Sequence, residues 1–360
     1  MLKDDREKVG ILIPTCNRLQ YLQNALQSAL AQTHPDLSVL VIDDDSSDGT
    51  PDYLREIRDS RVSYVFNERN LGLADNINRG VHLFPGNIAW CTILGDDDVM
   101  DENFIRAMLE AVRFYSPKSI VHGHRIIIDK HGEYIRHTKL SPPEESAFAY
   151  MIYRLLKKRE TFLTGVFFRK DMFVKVGGYP SFRTGVMADD AFIFALALQD
   201  RLVYTKEAIA KQRFHSEAES LSFRDICIIL ETTKQFSGYC EEMARYYGIP
   251  NFIPPTLFKE ILNKYTVRIN SECWLQCYHN TTDSLWPTIG ESTMPDIPMK
   301  YPEQFSRRIR LDAQSLRMFN LYPEKYIAYR AVWFFIDSIK EWYWGNKIQP
   351  HINSKAAPDS

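Results

Sequence analysis

The chain has 360 residues, a length that predicts two domains or one large domain with an appendage. Hydrophobic residues make up 45 % of it and charged residues 25 %, which excludes a largely disordered or fibrous protein. The formal net charge of −2 provides no electrostatic basis for binding nucleic acid, and we expect no nucleic-acid partner.

Membrane and export signals are the next features to consider. The sequence contains no run of about 18 or more uncharged apolar residues, so we expect no transmembrane helix. Its charged start, residues 1–7, does not resemble a signal peptide. The six cysteines lack the spacing of zinc ligands. We therefore expect a reduced protein in the cytoplasm.

Residues 1–116 alternate between two hydrophobic periods. Four apolar runs predict buried strands: Val9–Ile13, Leu37–Ile42, Val62–Phe66 and Ile88–Leu94. Four segments with helical spacing alternate with them: Leu19–Gln32, Thr50–Ile57, Ala74–Leu83 and Phe104–Phe114. This alternation predicts an α/β fold of the Rossmann type, with a mostly parallel sheet flanked by helices.

The pattern changes after residue 116. Strands are predicted at Ser119–Ile128 and Phe162–Phe168, and helices at Phe148–Leu156 and Asp189–Leu198. From residue 225 onward the pattern is helical only. The predicted helices there are Ile226–Tyr247, Phe258–Tyr278, Pro302–Phe319 and Pro323–Trp344.

Polar clusters follow three of the first four predicted strands. They are Pro14–Arg18, Asp43–Ser46 and Gly95–Asp98. Because ligands bind outside the carboxyl ends of the strands in open α/β sheets, we expect the three clusters to share one binding edge.

Three consecutive carboxylates, Asp96 to Asp98, repel one another unless water or a cation lies among them. Oxygen ligands suit Mg²⁺ or Mn²⁺, and Mg²⁺ takes one or two carboxylates together with phosphate oxygens. A metal-bridged diphosphate is therefore the natural ligand. The alternative is a solvated turn, and the acids of Asp43–Thr50 could similarly serve only a turn and a helix cap. Two such clusters at one sheet edge favour the functional interpretation.

The ordered motifs between residues 9 and 222 resemble a family 2 glycosyltransferase with the GT-A fold. The first four segments and the family motifs they resemble are Ile11–Arg18 (P-T-x-N-R), Val41–Thr50 (V-D-D-x-S-x-D-G-T), Asn70–Gly80 (N-x-G…N-x-G) and Leu94–Asp98 (L-D-x-D-D). The later ones are Phe168–Tyr179 (before the acceptor site), Asp189–Asp190 (Glu-Asp) and Arg213–His215 with Ser220 and Ser222 (R-x-H…S-x-S). Gly95 and Asp189 depart from the family, which has an acid at the first position and Glu at the second.

The resemblance implies a nucleotide-sugar donor, above all a UDP-sugar, lying across the strand ends. Asp44 matches the carboxylate that hydrogen-bonds the base. The nucleotide-binding residues implied are Pro14, Thr15, Asn17, Arg18, Asp43, Asp44, Asn70, Gly72, Asn78, Asp96 and Asp97. The alternative for Arg18 is an ordinary surface salt bridge.

The resemblance also implies a divalent metal, Mg²⁺ or Mn²⁺, that neutralises the donor diphosphate and acts as a Lewis acid. Its ligands would come from Asp96, Asp97, Asp98 and His215, and Arg213 belongs to the same closing motif as His215. Which of the three aspartates bind the metal stays open, and a lone histidine often has no special role.

Asp190 matches the family's general base, with Asp189 beside it as the other catalytic acid. An inverting transfer is one in-line displacement, in which a carboxylate takes the proton of the acceptor hydroxyl. The alternative is that both acids only stabilise the start of an apolar helix.

The resemblance divides the chain into a catalytic domain, residues 1–224, a helical domain, 225–348, and a disordered tail, 349–360. The nucleotide-sugar half would span about 1–116 and the acceptor half about 117–224. Aromatic and basic residues of the helical domain could pack on the catalytic domain, form a homo-oligomer interface or contact an anionic membrane surface peripherally. Packing is the favoured interpretation.

The sequence thus predicts a metal-dependent inverting hexosyltransferase acting on a glycan or lipid-linked saccharide at the cytoplasmic face of the membrane. A non-catalytic nucleotide-sugar-binding scaffold is the first alternative, and it would bind donor without turnover. A sugar-nucleotide pyrophosphorylase is the second, but it needs a glycine-rich loop after the first strand, and Pro14–Arg18 has no glycine.

Overall fold

The fold is taken from a computed structural model of the chain, which describes residues 7–155, 158–214 and 226–248 together with ten positions between 256 and 270. The chain divides into two compact units, Met1–Asn280 and Thr281–Ser360, and all described residues belong to the first. His215, the predicted helices beyond residue 270, the tail and the proposed membrane or oligomer surface lie outside the described residues.

Ten strands form one sheet among the described residues. In chain order they are β1 Val9–Thr15, β2 Leu37–Asp43, β3 Val62–Phe66, β4 Trp90–Ile93, β5 Val99–Met100, β6 Ile120–Ile128, β7 Tyr134–His137, β8 Glu144–Glu145, β9 Val166–Arg169 and β10 Leu202–Arg213. The order across the sheet is β3-β2-β1-β4-β9-β6-β10-β5, with β7 on β6 and β8 on β10.

The sheet is mixed. Strands β1 to β4 pair in parallel, as do β6 and β10, whereas β9 runs antiparallel between β4 and β6. All seven residues of β1 are buried, as expected for a central strand covered on both faces. The predicted α/β fold with a mostly parallel sheet is therefore confirmed, with one antiparallel strand in its middle.

Eight helices are assigned among the described residues. They are α1 Leu19–Leu30, α2 Thr50–Glu56, α3 Leu73–Leu83, α4 Phe104–Tyr115, α5 Ala147–Leu155, α6 Lys170–Lys175, α7 Ala188–Ala197 and α8 Ile226–Tyr247. The buried apolar residues form two hydrophobic clusters. One cluster packs α1 and α4 against the sheet, and the other packs α3, α5, α7 and α8 against the sheet.

Close packing positions the elements nearest the strand ends. A Cβ built on Gly80 of α3 would lie 2.4 Å from Leu12 Cδ1 of β1, so only glycine lets the helix come this near. Every residue of α7 is buried except Asp189, because α5 and α8 cover this helix. Each buried phenylalanine of α7 contributes about 1.5–3 kcal/mol to stability.

Residues after position 224 share a core with the sheet and its helices. Phe236 of α8 belongs to the same hydrophobic cluster as Phe192 of α7, and the ring of Phe258 lies 5.8 Å from that of Phe194. The division at residue 224 stays a prediction about how the chain folds. Within the described residues, no helix is long and apolar enough to cross a membrane.

The longest strand was not predicted from the sequence. Leu202–Arg213 contains polar residues and a change of register between Thr205 and Ile209, so it lacks a continuous apolar run. The short strands β5, β7 and β8 were also missed. Each of them is defined by pairing with a distant strand rather than by a local pattern.

Candidate active site at the carboxyl edge of the sheet

The carboxyl ends of β1, β2 and β4 meet, as the topology requires. Thr15 pairs in register with Asp43 of β2, and its hydroxyl donates a hydrogen bond to Asp96 Oδ2 over 2.8 Å. Pro14 is buried within β1 and shapes the strand end without offering a polar side chain. All three predicted clusters therefore lie at one edge.

Arg18 is a cation that contacts two of the three aspartates of the acid cluster. Its Nη1 lies 2.8 Å from Asp97 Oδ2 and 3.3 Å from Asp96 Oδ1, and 27 % of its side chain is exposed. Burial and the charge of Asp97 raise the pKa of Asp96 to about 7, and Arg18 opposes this rise. Arg18 is thus part of the acid cluster and not an isolated surface ion pair.

Asp98 is held by the segments around it. Its Oδ1 accepts a hydrogen bond from the Arg213 backbone N–H over 2.8 Å, and the Thr164 hydroxyl donates a second bond. Burial and the charge of Asp97 raise its pKa well above the usual range. Arg213 Nε also donates to the Asp97 carbonyl over 2.8 Å. Arg213 therefore fastens the end of β10 to the acid cluster.

Gly95 explains one departure from the family motif. A Cβ at this position would lie 3.0 Å from Asp98 Oδ2 and 3.1 Å from Asp97 Oδ1. The two carboxylate oxygens thus converge on the space above Gly95, which a larger residue would fill. This donor pair fits Mg²⁺ or Mn²⁺ completed by phosphate oxygens. Among the described residues no group of three or more His, Cys, Asp or Glu side chains is arranged to hold a metal.

Asp44 organises a loop. Its Oδ1 accepts hydrogen bonds from Asn67 Nδ2 (2.6 Å) and the Leu71 N–H (2.8 Å), and its Oδ2 accepts one from the Gly72 N–H (2.9 Å). The carboxylate is only 3 % exposed. Both Asp44 oxygens are thus occupied by the protein, whereas a residue that hydrogen-bonds the base would need an oxygen that the base can reach.

Asp43, beside it, differs from Asp44 because one of its carboxylate oxygens has no hydrogen-bond partner among the described residues. Its Oδ1 is buried and has no hydrogen-bond partner in the described part of the chain, while its Oδ2 accepts one from the Ser46 N–H over 3.4 Å. Burial raises the pKa of this carboxyl. Asp43 is itself only 1 % exposed, so this oxygen is an unsatisfied buried acceptor at the end of β2.

The three predicted asparagines serve the loops. Asn17 Oδ1 accepts the Ser47 N–H over 2.7 Å, and Asn70 Oδ1 accepts the Gly72 N–H over 3.0 Å. Asn78 exchanges two hydrogen bonds with the backbone of Tyr179, at 2.8 and 2.9 Å. Asn78 thus ties α3 to the turn before α7, and both polar atoms of its side chain take part in this contact.

Asp189 begins the acid pair of α7 and is the half-buried member. Its Oδ1 accepts a hydrogen bond from the Tyr179 hydroxyl (2.6 Å) and its Oδ2 from the Leu163 N–H (3.0 Å). Burial is the main cause that raises its pKa to about 6, and the charge of Asp190 adds to it. Tyr179 also lines a cavity of about 220 Å³ between residues 71–75 on one side and residues 179–185 and Ala188 on the other.

Asp190 is enclosed. Arg154 donates to both of its oxygens, from Nε at 2.6 Å and Nη2 at 2.7 Å, and the Tyr150 hydroxyl donates at 2.8 Å. The Tyr265 hydroxyl supplies a fourth donor. The residue is 3 % exposed, so both oxygens are saturated and shielded.

One short segment joins the acid cluster to the acid pair. The Leu163 N–H reaches Asp189, and the adjacent Thr164 hydroxyl accepts from the Gly95 N–H over 2.9 Å and donates to Asp98. The two groups of carboxylates therefore flank the same stretch of backbone.

Sequence reasoning missed several of these partners. They are Thr164, Leu163, Tyr179, Arg154, Tyr150 and Tyr265. Tyr179 stands in a quoted family motif, but its role becomes visible only through the hydroxyl contact with Asp189. The others come from segments without a recognisable motif.

The fold and this edge are those of an open α/β sheet that binds ligands at the carboxyl ends of its strands. Residues 10–177 match the family model described as "Glycosyl transferase family 2". This segment belongs to the family, and the chain is a glycosyltransferase.

Two curated relatives and one solved structure illustrate the comparison. An uncharacterized glycosyltransferase of Nostoc sp. is 23 % identical over 220 residues, covering 60 % of this chain and 67 % of the relative. Glycosyltransferase GlyA of Streptococcus pneumoniae is 26 % identical over 139 residues, covering 38 % of this chain but only 19 % of that protein. The crystal structure of S. aureus TarS 1-349 in complex with UDP-GlcNAc superposes with a TM-score of 0.55 and 14 % identity, covering 85 % of this chain and 79 % of that one. The structural likeness supports the GT-A fold.

Proposed function

We propose that the protein transfers a hexose from a nucleotide-sugar, most suitably a UDP-sugar, to a glycan or lipid-linked saccharide with inversion at the anomeric carbon. The observation that carries this proposal is that two adjacent residues support both carboxylates: the Leu163 N–H donates to Asp189 and the Thr164 hydroxyl donates to Asp98. It brings the expected diphosphate site and a proton acceptor to the two sides of one short segment. The solved relative with UDP-GlcNAc supports the choice of donor class.

The nucleotide would lie over the ends of β1 and β2. Asp43 holds the unpartnered acceptor for the base, while Asp44 supports it indirectly by fixing the loop at Leu71 and Gly72. This reverses the roles expected from the motif. Thr15 and Arg18 line the path from the base to the acid cluster.

Asp97 and Asp98 are the residues that would hold the divalent metal, and the resemblance adds His215. When bound, the metal supplies positive charge that stabilises the departing diphosphate. Asp96 is already engaged by Thr15 and Arg18, so its role is to hold Arg18 at the edge of the site.

Asp189 is the better placed proton acceptor. The acceptor hydroxyl oxygen forms the new bond to the anomeric carbon, the bond from that carbon to the diphosphate oxygen breaks, and the hydroxyl proton passes to an Asp189 oxygen. Asp189 is the member of the pair with solvent-accessible surface. A pKa of about 6 leaves it ionised yet basic at neutral pH. The family motif favours Asp190 as the base. We instead assign Asp190 a structural role, because its ion pair with Arg154 joins α7 to α5.

The test begins with a panel of UDP-, GDP- and dTDP-sugars with Mn²⁺, followed by the release of nucleoside diphosphate. We expect Asp189→Asn to lower kcat by about 10²–10⁴-fold, the usual contribution of a general base, with UDP affinity unchanged by calorimetry. Asp52→Asn is the matched control, because Asp52 also lies in the first turn of a helix but is exposed.

Two outcomes would change the proposal. Binding of donors without any turnover by the wild-type protein would contradict sugar transfer by this chain. If folded Asp190→Asn lost all turnover and Asp189→Asn kept normal rates, Asp190 would be the general base.

A further inference from the structure

Arg125 on β6 is a buried cation without a carboxylate partner. Its side chain is 1 % exposed, and among the described residues no carboxylate lies within ion-pair distance of it. Its guanidinium instead donates to three backbone carbonyls: Thr164 (Nε, 2.8 Å), Phe162 (Nη2, 2.9 Å) and Gly123 (Nη1, 3.1 Å). Burial lowers its pKa to about 10.

Packing alone does not account for this residue. Burying a charged guanidinium costs free energy that carbonyl partners offset only in part, and an unbranched apolar side chain would fill the same space. Arg159, which is also buried in the acceptor half, contrasts with it because it pairs with Glu145. The less buried Arg154 pairs with Asp190. Arg213, the third buried arginine there, likewise donates to backbone carbonyls, but at the acid cluster itself.

The two carbonyls at Phe162 and Thr164 flank the segment that supports both groups of carboxylates. Between them lies Leu163, whose N–H binds Asp189. The backbone is shaped around the guanidinium, because Gly165 has a φ of +93° and a Cβ there would lie 3.1 Å from Arg125 Nε. The backbone at residues 162–165 therefore takes its path from Arg125.

We propose that Arg125 is a positioning residue for sugar transfer. By holding the carbonyls of Phe162 and Thr164, it directs the Leu163 N–H toward Asp189 and the Thr164 hydroxyl toward Asp98. It thereby sets the separation between the proton acceptor and the diphosphate site. The inference rests on the proposed function, because the geometry it maintains matters only if both carboxylates serve one reaction.

The experiment compares Arg125→Met with Arg125→Lys. The methionine removes all three donors at similar length, and the lysine retains the charge but cannot hold three carbonyls at once. We expect kcat to fall about 100-fold or more in Arg125→Met, as is seen for small misplacements of reacting groups, and to be partly restored in Arg125→Lys. The dissociation constant of UDP should stay within about threefold of wild type, since Asp43 and Thr15 do not contact Arg125.

Arg159→Met is the matched control, because Arg159 is also buried but makes no hydrogen bond to residues 162–165. It should lower the melting temperature while folded molecules keep their kcat. If Arg125→Met and Arg125→Lys retain the kcat of Arg159→Met per folded molecule, the positioning role is refuted and the proposed function stands. If Arg125→Met does not fold, normal kcat in Arg125→Lys and in Thr164→Val together refutes the role. A wild-type protein without transfer activity overturns the proposed function itself.

Discussion

The strand edge at Asp43–Asp44 and the helix start at Asp189–Asp190 are both built on two adjacent aspartates. In each pair one carboxylate accepts at least three hydrogen bonds from distant segments. Of the other two carboxylates, Asp43 has one unpartnered oxygen and Asp189 is partly exposed. Asp44 is occupied by the loop at residues 67–72, and Asp190 by Arg154 and two tyrosines. Neighbouring aspartates thus acquire different surroundings, and the difference depends on their tertiary partners.

The strongest test of this difference concerns the ion-pair partner of Asp190. Arg154→Met leaves a buried carboxylate without its counter-ion, and we expect the free energy of unfolding to fall by about 3–5 kcal/mol. Urea denaturation followed by circular dichroism measures the change.

The double variant Arg154→Met, Asp190→Leu removes both charges and should recover most of this loss. Arg55→Met, which breaks an exposed pair with Asp52, should cost less than about 1 kcal/mol and is the control. An unfolding free energy for Arg154→Met equal to that of the control would mean that Asp190 is not enclosed as described.

The second test compares Asp43 with Asp44. Asp44→Asn places an amide among three N–H donors and should destabilise the protein by about 1–3 kcal/mol, the cost of unsatisfied buried groups. Asp43→Asn should leave stability unchanged or higher, because burial already disfavours its charged form. It should instead weaken UDP binding by about tenfold, the equivalent of 1.4 kcal/mol.

Calorimetry with UDP and thermal unfolding on the same samples separate the two effects. A different result would restore the motif-based assignment of Asp44 to the base. In that result, Asp44→Asn would lose UDP affinity with unchanged stability, and Asp43→Asn would keep the UDP affinity of the wild type.

The smallest expected effect is the pH dependence of turnover. A carboxyl must be ionised to accept a proton, and Asp189 has a pKa of about 6. At saturating donor and metal, kcat should therefore decline below pH about 6, approaching tenfold per pH unit. Because the charge of Asp190 raises the pKa of Asp189, Asp190→Asn should move this decline to lower pH. A kcat that stays constant down to pH 5 would exclude Asp189 as the base.

Much of the fold was predictable because its signals are local. The first four strands and the helices between them were predicted to within a few residues, from runs of apolar side chains and helical spacing. Strands β5, β7, β8 and β10 were missed because their pairing partners, not their own residues, define them. A strand near β9 was predicted, but its antiparallel direction was not, because that direction depends on its pairing with β4 and β6.

The sequence by itself determined which carboxylates share an edge, because parallel strands that end in acids must present those acids together. It also identified Asp189 and Asp190 as a pair at the start of a helix. Only the tertiary structure decided how many donors each acid of a pair receives. Hydrogen-bond donors such as the Leu71 N–H, the Arg154 guanidinium and the Tyr265 hydroxyl come from 27 to 75 residues away along the chain, and no local pattern announces them.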